Sequence, residues 1–264
     1  MKNRFYGKYY KFISDNGHVL ACILSHTNEG NMIQIIMDSG SYFIDDYNAV
    51  VVDGNIVRFN VCSDNINISG ELVLGELSPL KSKVMGPFTY LPMECRHSIY
   101  SMKHTINGKL IINGNEYTYT NSLGYIEGDS GKSFPNKYIW YNSVLEDSTV
   151  TMAIATVVVI GFIKFKGLLC FIKTKDKEYK ICTYNFGKIK KIENNNIIIK
   201  KGKYKFILEF NNNEGHKLKA PVRGNMDRYI KEAITTSTRY KLLYKNNIIL
   251  DVCDDISSLE YMWD

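Results

Sequence analysis

The sequence predicts an all-β chain made of two consecutive antiparallel β-barrels or half-barrels. Residues that make tight turns recur at short intervals, the runs between them are of strand length and rich in Ile, Val, Tyr and Phe, and helical periodicity is nearly absent. Strands spaced in this way point to a sandwich or barrel.

In chain order, Gly7–Phe12 opens an aromatic strand that ends at the turn Asp15-Asn16-Gly17. Ile33–Met37 follows the turn at Asn28-Glu29-Gly30, and Asn55–Val61 follows Asp53-Gly54. Lys109–Ile112 lies between Asn107-Gly108 and Asn113-Gly114-Asn115, and Glu116–Thr120 leaves that last turn. Each turn supplies residues that tolerate positive φ. The most apolar stretch, Val150 to Phe171, is β-branched and interrupted by Gly161, Lys164, Lys166 and Gly167. A spanning helix there would put two ammonium groups in a bilayer, so two buried strands joined by a turn are expected. Lys177–Tyr184, Asn196–Lys200, Tyr204–Phe210, Tyr240–Tyr244 and Asn247–Val252 complete the strands, with turns at Lys201-Gly202 and from Asn211 to Gly215. Only Met226 to Ala233 has room for two helical turns, and the Thr-Thr-Ser-Thr that follows argues for a strand.

An internal echo suggests the division. Gly7–Phe12 opens an aromatic strand, a turn and an apolar strand, and the segment from Gly131 does the same before Thr149–Val159. Two similar halves are expected to meet near Asn121, giving domains 1–121 and 122–264.

Composition excludes several classes of function. A chain of 264 residues with 45% hydrophobic residues has a real core to bury. The net charge of +6 comes largely from interrupted lysine runs such as Lys188, Lys190, Lys191 and Lys200, Lys201, Lys203, the pattern of a solvated face. A nucleic-acid-binding barrel would set aromatic platforms beside its lysines, whereas these lysines follow Phe186, far from the motif-rich segment. Six scattered cysteines without a CxxC pair are expected reduced, and the N-terminus lacks the apolar run of a secretory signal, so a cytoplasmic location is expected. No integral membrane segment is expected, and a transient contact with a membrane surface stays open. Phosphate-loop, dinucleotide and nucleophile-elbow motifs are absent, and the five histidines show no metal-ligand spacing. No metal and no cofactor are therefore expected.

The densest chemistry lies in Met85–Met102 and Gly124–Asn142. Alternation in an extended strand puts Tyr138, Trp140, Asn142 and Val144 on one face. It pairs Glu94 with Arg96 away from Cys95 and His97, and it puts Glu127 and Asp129 together, where neighbouring carboxylates can keep a proton available.

The runs MGPFxxxPMECxHxxxSM and GYIExDxGxSFP, with YxW after the proline, resemble the tocopherol cyclase-like family. Weaker matches are GKYYKF, KEYKICTY, KLKAPVRGNM, the IKEA around Glu232 and the SLE ending at Glu260, so the resemblance covers essentially the whole chain. It implies two lipocalin-like (calycin-type) domains, similar in architecture to carotenoid hydratase, with a hydrophobic substrate held in a cavity. Members with known activity close a chromanol ring without metal or redox cofactor: an acid protonates a prenyl double bond, aromatic faces shelter the cation, and the phenol oxygen captures it. The chain departs from the pattern at Ser130 and Lys8, where the family carries tryptophan, and at Gly128, where it carries a basic residue.

On this reading Asp129 is the expected acid, with Glu94 and His97 as proton donor and relay and Glu127 as competitor. Tyr90, Tyr125, Tyr138, Trp140, Asn142 and Tyr184 are expected to line a cavity for a prenyl or polyene lipid. Each group has a structural alternative: a hydrogen-bond network for Glu94 and His97, turn capping beside Gly128 and Gly131 for the acidic pair, core packing for the aromatics. A lipid carrier of the same fold would keep the cavity and leave the carboxylates paired or solvated. Oligomeric state is not readable from the sequence.

Overall fold

The computed structural model describes residues 4–159, 163–193, 195–211 and 214–263. The turn expected at Gly161 lies outside them, as does the middle of the turn expected from Asn211 to Gly215. Strand accounts for 71% and helix for 4%, so the all-β expectation holds.

The first sheet is formed by β1 (Phe5–Ile13), β2 (Val19–Thr27), β3 (Gly30–Met37), β4 (Gly40–Ile44), β5 (Val50–Asp53), β6 (Ile56–Cys62), β7 (Asn67–Leu74), β8 (Cys95–Ile112) and β9 (Asn115–Gly131). Their order is β4-β3-β2-β1-β9-β8-β7-β6-β5, and each pairing is antiparallel. The second sheet holds β10 (Tyr138–Val144), β11 (Ser148–Val159), β12 (Ile163–Thr174), β13 (Glu178–Lys180), β14 (Lys188–Glu193), β15 (Asn196–Lys201), β16 (Tyr204–Phe210), β17 (His216–Val222), β18 (Asn225–Tyr244) and β19 (Asn247–Met262). Its order is β13-β12-β11-β10-β19-β18-β16-β15-β14, with β17 paired to β18.

The apolar stretch forms the antiparallel pair β11–β12, and the segment with a helical option runs as strand within β18. Asn121 lies inside β9, and the sheets part between Gly131 and Tyr138. The physical reason is register: β9 must reach Gly131 to pair with the whole of β1, from Ile13 opposite Leu123 to Phe5 opposite Gly131.

By compactness the chain forms two units. The first comprises Met1–Val84, Cys95–Phe134 and His216–Ile230, and the second Met85–Glu94, Pro135–Gly215 and Lys231–Asp264. Each buries an apolar cluster: Tyr10, Phe12, Leu20, Ile33, Ile35 and Ile126 are among the residues of that in the first, and Ile139, Tyr141, Met152, Phe206, Tyr240 and Leu242 among those of that in the second.

Candidate functional site: a carboxyl–imidazole–carboxyl array

Strands β8 and β9 set the strongest cluster of ionisable groups in the first unit. Register places Asp129 between Gly7 of β1 and His97 of β8, and Glu127 between Tyr9 and Ile99. Because Tyr10 and Ile126 point into the apolar cluster, the alternate residues Tyr9, Tyr125, Glu127 and Asp129 project from the opposite face. The β8–β9 ladder slips between Ile99 and Ser101 and again between Ser101 and His104, and such bulges re-aim side chains beside functional sites. Gly128 lets β1, β8 and β9 close: a Cβ there would stand 2.7 Å from the Gly7 carbonyl and 3.0 Å from the Tyr100 ring. A basic side chain has no room at that position.

The His97 imidazole lies between two carboxyl groups. Its Nδ1 is 3.1 Å from Asp129 Oδ1, and its Nε2 is 3.5 Å from Glu127 Oε2. The buried Tyr125 hydroxyl donates to Glu127 Oε2 at 2.5 Å, and the Cys95 thiol stands 3.7 Å from Asp129 Oδ1. Side-chain exposure falls along the array, from 23% at Asp129 through 10% at His97 to 6% at Glu127.

The alternation expected for these residues is present, since Cys95 and His97 both reach Asp129, and Glu127 and Asp129 share one face. Glu94 is exposed and falls in the Met85–Glu94 segment of the second unit. Lys8 sets its ammonium over the Tyr100 ring at 5.1 Å.

His97, Glu127 and Asp129 also form the group among the described residues whose ligand atoms, all within 4.8 Å of one another, have the spacing of a cation site. A metal takes a single ring nitrogen and gathers its ligands at about 2.0–2.2 Å from itself. Here the two ring nitrogens face different carboxyl groups.

In the second unit, β10 presents Tyr138, Trp140 and Asn142, all buried, on one face. The Tyr138 hydroxyl donates to Glu260 Oε2, and Glu260 lies opposite Trp140. Asn142 donates to Thr151 Oγ1 at 3.2 Å. Sequence chemistry missed the fully buried Glu232, which sits opposite Glu260 in the β18–β19 ladder. Its signals in the sequence were its place in the IKEA match and a charged residue next to the apolar pair Ala233-Ile234. Tyr184 is half-buried, meets Phe88 edge to face at 6.0 Å, and has its phenol pKa pushed well up by burial. Tyr90, expected to line the cavity, is 81% exposed.

No protein-family model and no curated protein sequence matches this chain. Solved structures do. Kievitone hydratase from Nectria haematococca is 10% identical with a TM-score of 0.56, over 99% of this chain and 90% of that one. A protein assigned as an AttH from Nitrosomonas europaea is 8% identical with a TM-score of 0.54, over 100% and 93%. CghA with Sch210972 is 7% identical with a TM-score of 0.62, over 99% and 89%. Likeness of this kind establishes the fold, two consecutive lipocalin-like β domains.

Proposed function

We propose that this chain binds a hydrophobic ligand of the prenyl or polyene class and adds a proton to one of its double bonds without a cofactor, leading to hydration or ring closure. The observation that carries the reading is the imidazole of His97 held between the carboxyl groups of Asp129 and Glu127. Protonating an alkene makes a carbocation, so the donor must be neutral when the substrate arrives, must face apolar surface and must be recharged from water. Glu127 meets these needs better than Asp129, because it is the buried end of the array and lies between Tyr9 and Ile99. Asp129 is then the group that exchanges with solvent, and His97 carries the proton between them.

The steps balance. Glu127 gives its proton to one alkene carbon, and the cation forms on the other. Water, or a hydroxyl of the same molecule, adds to the cation and loses a proton, which returns through His97. Support of a weaker kind comes from kievitone hydratase, by name a hydratase on this fold, and from the resemblance of the Met85–Met102 and Gly124–Asn142 motifs to tocopherol cyclase-like proteins.

The test is incubation with prenylated phenols and polyenes in D₂O, followed by mass spectrometry. Incorporation of one deuterium at carbon, lost in Glu127→Gln, is the expected result. Lipid retained by the protein with no deuterium uptake by any candidate would identify a carrier and overturn the catalytic reading.

A further inference from the structure

Two large aromatic side chains of the second unit stand almost wholly in solvent: Phe186 is 85% exposed and Tyr90 81%. They terminate two short 3-10 turns, Thr183–Asn185 and Gly86–Tyr90, that pack on one another. Gly86 lies so close to Tyr184 that a Cβ there would stand 2.8 Å from its ring. Phe186 is held at φ 69°, left-handed backbone that is unfavourable for any residue but glycine. The tip therefore accepts both strain and an exposed ring where glycine would incur neither.

The segment that carries Phe186 is strongly basic. From Ile163 to Lys205 the sequence holds thirteen lysines and three acidic residues, although the whole chain nets only +6. Lys188, two residues past Phe186, faces Lys200 directly across β14 and β15, and both are exposed. Like charges in that relation destabilise a strand pair, and an anion between them reverses the effect. The Lys201 ammonium donates to the Lys180 carbonyl at 3.2 Å, the carbonyl that also accepts from Asn185 Nδ2 at 3.2 Å. One ammonium is thereby fixed beside the 183–185 turn.

We infer that this tip docks on an anionic phospholipid bilayer, with Phe186 and Tyr90 entering the headgroup layer and Lys188, Lys200 and Lys201 meeting phosphates. Rings at the ends of turns, with ammonium groups on the strands that lead away, match the order of groups across a membrane interface. A single-stranded nucleic acid needs rings interleaved with lysines along a groove. Docking of this kind would bring the protein to the phase in which a prenyl or polyene lipid is dissolved.

The experiment is flotation of the full chain with phosphatidylcholine vesicles made with and without phosphatidylserine. The wild type is expected to float with the anionic vesicles only and to be released by salt. Phe186→Gly, which keeps the turn and relieves its backbone, should weaken binding about tenfold. Lys188→Glu with Lys200→Glu should abolish it, with unfolding midpoints confirming that both variants fold. Failure of the wild type to float at low salt, flotation of Phe186→Gly equal to wild type, or tighter capture of a single-stranded oligonucleotide than of vesicles would each overturn the inference. None of these outcomes depends on deuterium incorporation, so docking and catalysis can fail separately.

Discussion

Both units set a group of polar side chains against one another, and the two groups differ in character. In the second unit, Tyr141 meets Thr238 at 3.0 Å, Thr238 meets Ser257 at 2.8 Å, and Ser257 and Ser143 donate to Asp254 Oδ2 at 2.8 and 2.5 Å. The Ile256 amide donates to Asp254 Oδ1 at 2.9 Å, and Tyr240, 3.4 Å from Ser143 Oγ, extends the set to Ser148 at 2.7 Å. Every side chain in it is buried, and burial pushes the phenols of Tyr141 and Tyr240 up, so they remain protonated. Two hydroxyls and a backbone amide donate to the one carboxyl group, a buried network that specifies packing. The array in the first unit has the opposite character, since its members are carboxyl and imidazole groups and its exposure is graded. Burial of polar groups is therefore no mark of chemistry by itself; a gradient of solvent access across adjoining carboxyl and imidazole groups is.

The largest expected effect would break this comparison if absent. Glu127→Gln should lower deuterium incorporation by about 10²–10⁴-fold, with little change in the urea midpoint. A variant that loses stability instead would make the first array as structural as the second. Asp254→Ala should do the reverse: by leaving three donors without their acceptor it should cost about 2–4 kcal/mol in urea unfolding, with deuterium incorporation by the folded fraction unchanged.

A third residue sharpens the comparison by accounting for acid sensitivity. His104, bonded to Ser101 Oγ at 3.1 Å and backed against Gly124, is buried and has its pKa lowered to about 4. The unfolded chain takes up this proton near pH 6.5 and the folded chain resists until about pH 4, so stability falls as pH drops through that window. Between pH 7 and 5 the loss should be about 2 kcal/mol. His104→Leu should flatten this part of the profile, and a profile unchanged by that variant would move the acid sensitivity elsewhere. The smallest effect is expected from Cys95→Ser, because a thiol 3.7 Å from Asp129 is a weak donor: rates should change by less than about threefold.

Strand faces were legible in the sequence because side-chain alternation is a local property. That logic placed Glu127 beside Asp129 and Cys95 beside His97. Partners were not legible, because hydrogen-bonding neighbours such as Gly7 and Asp129 lie far apart in the chain and no periodicity encodes them. The relative burial of the two acids went with the partners: Asp129 stood out in the sequence for its glycine-rich segment, and register sets Glu127 between Tyr9 and Ile99, where it is the more buried of the two. Exposure of Tyr90 was hidden for the same reason, since an aromatic residue beside prolines reads alike at a tip and in a lining.

The pairing of β1 with β9 has a consequence for biogenesis. On the ribosome, β1 to β4 can form hairpins early, but β1 keeps one open edge until Gly131 has emerged. That edge is Phe5 to Ile13, an aromatic stretch with lysines at Lys8 and Lys11, the kind of charge that discourages wrong partners. Closure over so long a separation is slow. The strand that seals it carries Glu127 and Asp129, so the open edge of β1 is closed by the same strand that sets these two carboxyl groups against His97 of β8.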